Sequence, residues 1–376
     1  MKKILLLLVL STSISSAQWM QKTSCEKNAA IISNQAIEAL TNLEYTMALG
    51  MAKAALLIDS DCGCAQLTLA AISSPYPKWG SQKSKLAAID VSKLSEEEQT
   101  WHTYLMASRE DRDAVAKIGA SKLPNSPLIN YLTTKSKDMN SFKSFAEKFP
   151  KNAASSYNMM SYGYLNGAFG ETNKEMAMKY VKQAQQLHDG PNSYDSMAEH
   201  YATLGDYEKA LELELKAVDF ATFGSTYWRS AQTYRAKLNQ AELSEKLMQM
   251  QRELQAAIMA DDYKTYSKFE HPDIIHKTGD SNLNPFYVFD KSSFGGNDAI
   301  DWNNLDLNDM EVSYAPDMQT AVMTFYGSGS YVFKESKEKV IYSTRGSSVW
   351  VRTAMGWKIM HTSWAPNKGG NGIPQS

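Results

Sequence analysis

The sequence predicts a multidomain chain of two unlike parts. An all-α helical-repeat solenoid comes first, and an α+β domain with a curved antiparallel sheet around one long helix follows. Three observations carry this. Apolar and alanine positions recur three and four apart from Ser24 to about Ala260, which is the period of a helix. From Glu311 onward the period drops to two, that of a half-buried strand. Four of the eight tryptophans, Trp302, Trp350, Trp357 and Trp364, fall in the strand-rich part, as expected where the architecture changes.

A chain of 376 residues is more easily built as two or three domains than around one core. It is 43% hydrophobic and 21% charged, with a formal net charge of −2. That balance excludes intrinsic disorder and argues against a nucleic-acid binder, which is normally basic. Three cysteines are too few for a disulfide scaffold or a four-cysteine zinc site.

Met1 to Ala17 reads as a secretory signal: Lys2 and Lys3, then the apolar run Ile4–Leu10, then Ser15-Ser16-Ala17. The run is too short to span a bilayer, and Cys25 lies too far beyond it for a lipoprotein. An exported protein, periplasmic or secreted, beginning near Gln18 is the expectation, with no transmembrane segment. In an oxidising compartment the cysteines need partners. Cys62 and Cys64 flank a single glycine, a spacing too tight for a relaxed bridge, so Cys25 is expected to pair with one of them.

Within residues 18–246, prolines at Pro75, Pro77, Pro124, Pro127, Pro150 and Pro191 punctuate the helical runs. No proline occurs between Asn192 and His271, so long helices are expected there. Tyr194, Met197, Ala198, Tyr201, Gly205-Asp206-Tyr207, Ala210 and Ala217 resemble one tetratricopeptide repeat. Small alanines let two antiparallel helices approach, the tyrosines fill the groove, and Gly205-Asp206 makes the turn. Two positions depart from the pattern: Glu214 stands where the repeat has an aromatic, and Thr222 where it has a closing proline. Weaker copies surround Tyr157 and Trp228. The resemblance implies a solenoid whose concave face takes a protein or peptide partner.

Residues 247–368 form the second domain, with 369–376 as a tail. Leu243, Leu247, Met250, Leu254 and Ile258 line one face of a long helix. Glu311–Ala315, Gln319–Phe333, Lys339–Arg352 and Trp357–Trp364 read as four strands joined by hairpins. Gly327 and Gly329 are expected to bend the longest of them. The aromatic cluster Phe286, Tyr287, Phe289, Phe294 and Trp302 is read as a covering loop.

Two segments carry a second resemblance: Ala260-Asp261-Asp262-Tyr263 with His271-Pro272-Asp273-Ile274, and Ser347-Ser348-Val349-Trp350-Val351-Arg352 with Gly356–Trp364. They look like the helical entry and final hairpin of SnoaL-like, or nuclear transport factor 2-like, domains, and the hairpin also resembles the association domain of calcium/calmodulin-dependent kinases. The resemblance implies a cone with an internal pocket, and dimerisation through the sheet.

Strict alternation along the last strand puts Trp357, Ile359, His361 and Ser363 on one face, and Met360, Thr362 and Trp364 on the other. The expected ligand pocket is therefore His276, Trp302, Trp350, His361 and Ser363, suited to a small apolar or mixed ligand. Some relatives of this fold are isomerases and dehydratases that need a general base. Where the isomerase carboxylate would fall stand His276-Lys277-Thr278, with no acid before Asp280. His276 and His361 are the acid–base candidates if the domain is a lyase or isomerase. A non-catalytic binding protein is the leading expectation. No phosphate loop, zinc helix or nucleophile elbow is present, and neither a cofactor nor a metal is expected.

Overall fold

The computed structural model describes residues 17–72, 80–136, 138–220, 226–279, 286–295 and 299–367. The signal segment before Ala17, Pro75, Pro77, Thr222, Asp280 and the C-terminal tail lie outside them. The chain divides into two compact units, Met1–Ala231 and Gln232–Ser376. Among the described residues no helix is long and apolar enough to cross a membrane.

The regular elements described in the first unit are all helices. Its helices are α1 (Lys27–Thr41), α2 (Tyr45–Ile58), α3 (Gly63–Ala71), α4 (Lys83–Ala87), α5 (Glu96–Met106), α6 (Arg112–Lys122), α7 (Pro127–Tyr131), α8 (Met139–Lys148), α9 (Ala154–Leu165), α10 (Lys174–Leu187), α11 (Pro191–Thr203), α12 (Tyr207–Phe220) and α13 (Thr226–Leu238), the last running across the division. Consecutive helices pack in pairs, α1 on α2, α9 on α10 and α11 on α12. Buried alanines make this possible: Ala177 and Ala184 on α10, Ala198 on α11, and Ala210 and Ala217 on α12 are all at most 2% exposed, so the helix backbones approach closely. Gly205 turns α11 into α12 with φ +82°, a left-handed conformation that favours glycine. A disulfide joins Cys25 to Cys62, and Cys64 remains a buried free thiol.

The second unit opens with α14 (Gln240–Met259). Its apolar face buries Leu247 and Leu254, and Leu243, Met250 and Ile258 pack partly buried against the same core. The helix stops where Asp261 takes φ +56°, and Asp262 then caps α15 (Tyr263–Tyr266) by accepting from the Thr265 N–H at 3.1 Å. The strands are β1 (Lys277–Gly279), β2 (Tyr287–Val288), β3 (Ile300–Tyr314), β4 (Thr320–Phe333), β5 (Lys339–Thr353) and β6 (Gly356–Pro366), in the order β2-β1-β6-β5-β4-β3. Every pairing is antiparallel except β1 with β6, which is parallel. The sheet is thus mixed, not wholly antiparallel. The three residues of β1 were too short a run to carry a strand pattern.

Two further expectations change. Trp302 lies on β3, not in a loop, because that strand begins at Ile300. Its alternation is masked by two register shifts, between Trp302 and Asn304 and between Asn308 and Glu311. As an edge strand rich in Asn and Asp, β3 presents polar groups where an apolar edge would invite aggregation. Gly327 and Gly329 pair in continuous register with Leu307 and Leu305, so they make no bulge of their own. A Cβ at Gly329 would stand 2.1 Å from the Asn304 carbonyl oxygen. The glycine accommodates the bulge in the neighbouring strand.

Candidate functional site

A cavity of about 130 Å³ opens between α14 and the sheet within the second unit. Leu254, Gln255, Ile258 and Met259 form its helical wall. Trp302, Leu305, Tyr342, Thr362 and Trp364 form the sheet wall, and His276, Thr278, Tyr287 and Phe289 close it. None of these residues is an Asp, Glu, Lys or Arg.

Besides Gln255, Tyr287 and Tyr342, the cavity meets a hydrogen-bonded chain of four side chains. His276 is 4% exposed. Its Nδ1 lies 2.7 Å from the Tyr266 hydroxyl, and its Nε2 lies 3.1 Å from Thr362 Oγ1. Tyr266 Oη is also 3.1 Å from the Phe289 carbonyl oxygen, and Thr362 Oγ1 is 2.7 Å from Thr278 Oγ1. Burial, and secondarily the charge of His361, lower the His276 pKa to about 4, so the imidazole is neutral at physiological pH. Burial pushes the Tyr266 phenol up, and it keeps its proton.

The chain exists because of an irregularity in β6. Trp350 pairs with Ile359, but Val349 pairs with His361, leaving Met360 as an extra residue. A one-residue insertion reverses which face each later side chain takes. Trp357 and Ile359 pack in the core and not in a pocket wall, while Thr362 and Trp364 turn inward to the cavity. His361 and Ser363, expected in the pocket, stand on the opposite face. The His361 ring lies 5.5 Å from Phe286, and Ser363 sits in an outer groove beside Asp309, Glu311 and Arg345. His276 and His361 are therefore separated by the sheet and do not form an acid–base pair.

Trp302 does line the cavity, edge-on to Tyr331 at 5.4 Å and Tyr342 at 5.2 Å. Trp350 does not; it is buried in the core, donating its indole N–H toward Gln251 Oε1 at 3.0 Å and Ser348 Oγ at 3.1 Å. Sequence reasoning missed Tyr266, Thr278 and Thr362. Threonines alternate on strands everywhere, and nothing in the residues around Met360 announces the bulge.

The first unit holds a different concentration of ionisable groups. His188 lies between Glu44 (Nε2 to Oε2, 2.9 Å) and Glu38 (Nδ1 to Oε1, 3.6 Å). Burial opposes its charge, but the two carboxylates outweigh it and raise its pKa to about 9. Glu214, on α12, is fully buried. Neither of its oxygens receives a hydrogen bond from an N–H or hydroxyl donor; its carboxyl meets that of Asp195. Burial, then the nearby carboxylates, raise Glu214 to about 9 and Asp195 to about 6. Tyr162 donates to Glu199 on the same side of α11. His200 is also buried, with Nδ1 2.7 Å from the Ser196 carbonyl. Among the described residues no group of three or more His, Cys, Asp or Glu side chains is arranged to hold a metal ion.

No family model matches the chain, and no curated protein matches it. Among solved structures, an NTF2-like superfamily protein from Salmonella enterica is similar at 15% identity, covering 35% of this chain and 96% of that chain, with a TM-score of 0.29. The association domain of C. elegans CaMKII is similar at 14% identity over 33% of this chain and 96% of that chain, TM-score 0.28. An NTF2-like protein from Cytophaga hutchinsonii is similar at 15% identity over 33% and 97%, TM-score 0.26.

Proposed function

We propose that the protein is an exported, non-catalytic binding protein. Its second unit is a SnoaL-like domain whose cavity takes a small, uncharged, largely apolar ligand, and its first unit is a tetratricopeptide-like solenoid that engages a protein or peptide. One observation carries the ligand reading: a cavity of about 130 Å³ with largely aromatic and aliphatic walls, no charged side chain among the described lining residues and a hydroxyl–imidazole chain beside it. An ion entering it would lose hydration and meet no opposite charge among the described lining residues. A neutral ring carrying one polar atom meets walls of matching character. The Cys25–Cys62 bridge supports maturation in an oxidising compartment. The outer face of the sheet, with Val322, Tyr326 and Met360 exposed, is the surface on which a homodimer would form.

Titration of the full chain with small neutral ring compounds, followed by tryptophan fluorescence, tests the ligand reading. Trp302 and Trp364 line the cavity, so binding should perturb their emission saturably, and Trp302→Ala should weaken it. Absence of saturable binding across uncharged ring compounds, with ions binding instead, would overturn it.

A lyase or isomerase is the second reading, and it has one observation in its favour: His276 lines the cavity in its basic, uncharged form. Against it, both ring nitrogens already have hydroxyl partners, and among the described residues no carboxylate lines the cavity to pair with the imidazole. Product formed from a bound ketone and lost in His276→Gln with binding retained would favour this reading.

A further inference from the structure

On β6, Trp357 and Ile359 pack into the core, so alternation points Lys358 between them to the opposite face. A lysine there is ordinarily solvated. Lys358 is instead 6% exposed, because the helical turn Ser267–Phe269 packs against β6. Its ammonium donates to the Lys268 carbonyl oxygen at 2.7 Å. That bond uses one of its three N–H hydrogens. Among the described residues no carboxylate forms an ion pair with Lys358. A buried ammonium without an opposite charge has lost hydration that a single carbonyl does not replace.

Lys358 lines a groove of about 670 Å³ that is separate from the central cavity and shares His276 and Phe289 with it as a wall. Two carboxylates also line the groove, and each already accepts from a neighbour. Glu270 accepts from the Tyr263 hydroxyl at 3.0 Å, and Asp290 from the Ser292 N–H at 2.8 Å. Lys268 and His271 stand in the same lining. His271 Nδ1 accepts from the Asp273 N–H at 3.1 Å, which leaves the ring hydrogen on Nε2 as a further donor. The groove also carries aliphatic side chains open to water: Ile275, Val288 and Met355 are 63%, 45% and 64% exposed.

We propose that this groove is a second binding site, which takes an aliphatic monocarboxylate. The carboxylate sits on the Lys358 ammonium, and the hydrocarbon chain lies over Ile275, Val288 and Met355. The ligand supplies the opposite charge that the fold omits, through a charge-assisted bond of the stronger kind. Its chain covers apolar surface that otherwise faces water. A cation meets the Lys358 ammonium, and a neutral alcohol leaves it without a counter-charge, so charge and chain together define the class. The site is independent of the central cavity, which has no charged side chain among its described lining residues.

Calorimetric titration of the full chain with octanoate, 1-octanol, octylammonium and acetate tests it. Octanoate should bind about tenfold or more tightly than 1-octanol, the worth of a hydrogen bond between charged groups. Octylammonium should be weaker than either, and acetate, which has no chain, weaker than octanoate. Lys358→Met keeps the stem and removes the ammonium, so octanoate should fall to the affinity of 1-octanol, and the variant's urea midpoint reports whether it is folded. Met355→Ser changes an exposed side chain and should weaken octanoate about threefold; it decides the matter should Lys358→Met not fold. Octanoate no tighter than 1-octanol or octylammonium would overturn the proposal. So would octanoate binding undiminished in Met355→Ser, or in a folded Lys358→Met.

Discussion

Thr362 Oγ1 lies 3.1 Å from His276 Nε2 and ties the segment leading into β1 to the middle of β6. Both side chains are buried, 4% and 3% exposed. Replacing Thr362 by Val keeps the shape and strands an imidazole nitrogen. The loss should be about 1–3 kcal/mol, read as a lower urea midpoint with unchanged slope. Thr362→Ser should recover most of it.

The same histidine sets a pH dependence. Its pKa is about 4 in the folded chain, against about 6.5 unfolded. Between those values the unfolded chain binds a proton that the folded chain does not. Stability from this group is therefore complete above pH 6.5 and is lost progressively as pH falls toward 4. The upper limit is about 3 kcal/mol. Comparing urea midpoints at pH 7 and pH 4.5 in the native chain and in His276→Gln isolates it: the variant should lose less on acidification.

The two-part architecture was legible because the hydrophobic period is a property of whole segments, and long segments average out local exceptions. The apolar face of α14, from Leu243 to Ile258, and the strands around Trp350 and Trp357 are of this kind. The site was less legible because it depends on single residues. One extra residue at Met360 moved His361 and Ser363 out of the pocket and Thr362 into it. Trp302 looked like loop because Asn and Asp crowd β3, a composition that reflects an edge strand's exposure and not its backbone. Cys25 could be matched to Cys62 rather than Cys64 only once α1 and α3 were placed side by side.

That bridge gives a direct chemical test. With Cys25 and Cys62 joined and Cys64 buried, a thiol reagent should find no reactive group in the folded protein and one per chain in denaturant. Replacing Cys25 and Cys62 together by Ser should lower stability by about 2–4 kcal/mol.

Gly329 should tolerate no side chain. A Cβ there would lie 2.1 Å from the Asn304 carbonyl oxygen, a backbone atom fixed by the adjoining bulge. Gly329→Ala should therefore separate β3 from β4 locally, while Gly346→Ala, whose nearest neighbour is the Phe325 ring, meets a side chain and not the backbone of β3. Hydrogen exchange should show faster amides from Trp302 to Leu307 in the first variant and not in the second.

The carboxyl of Glu214 imposes the opposite pH dependence on the helical unit. Its pKa is raised to about 9, and that of Asp195 to about 6, first by burial and then by neighbouring carboxylates. Acting on these two or on the adjoining Tyr227 are Glu199 of α11 and Glu44, and no cation is among them. The folded chain keeps protons that the unfolded chain releases near pH 4, so stability falls as pH rises from about 5 through 9. His188, raised to about 9 by Glu38 and Glu44, loses its contribution over the upper part of the same range. The two are separable. Glu214→Gln keeps a donor facing Asp195 and cannot ionise, so it should flatten the decline and leave the chain about 1–3 kcal/mol more stable than the native protein at pH 9. His188→Gln should instead destabilise at pH 6 and converge on the native value above pH 9. Midpoints measured at pH 6 and pH 9 for both variants decide the matter, and a native chain equally stable at the two would refute the assignment of a shared, buried proton to the Asp195–Glu214 pair.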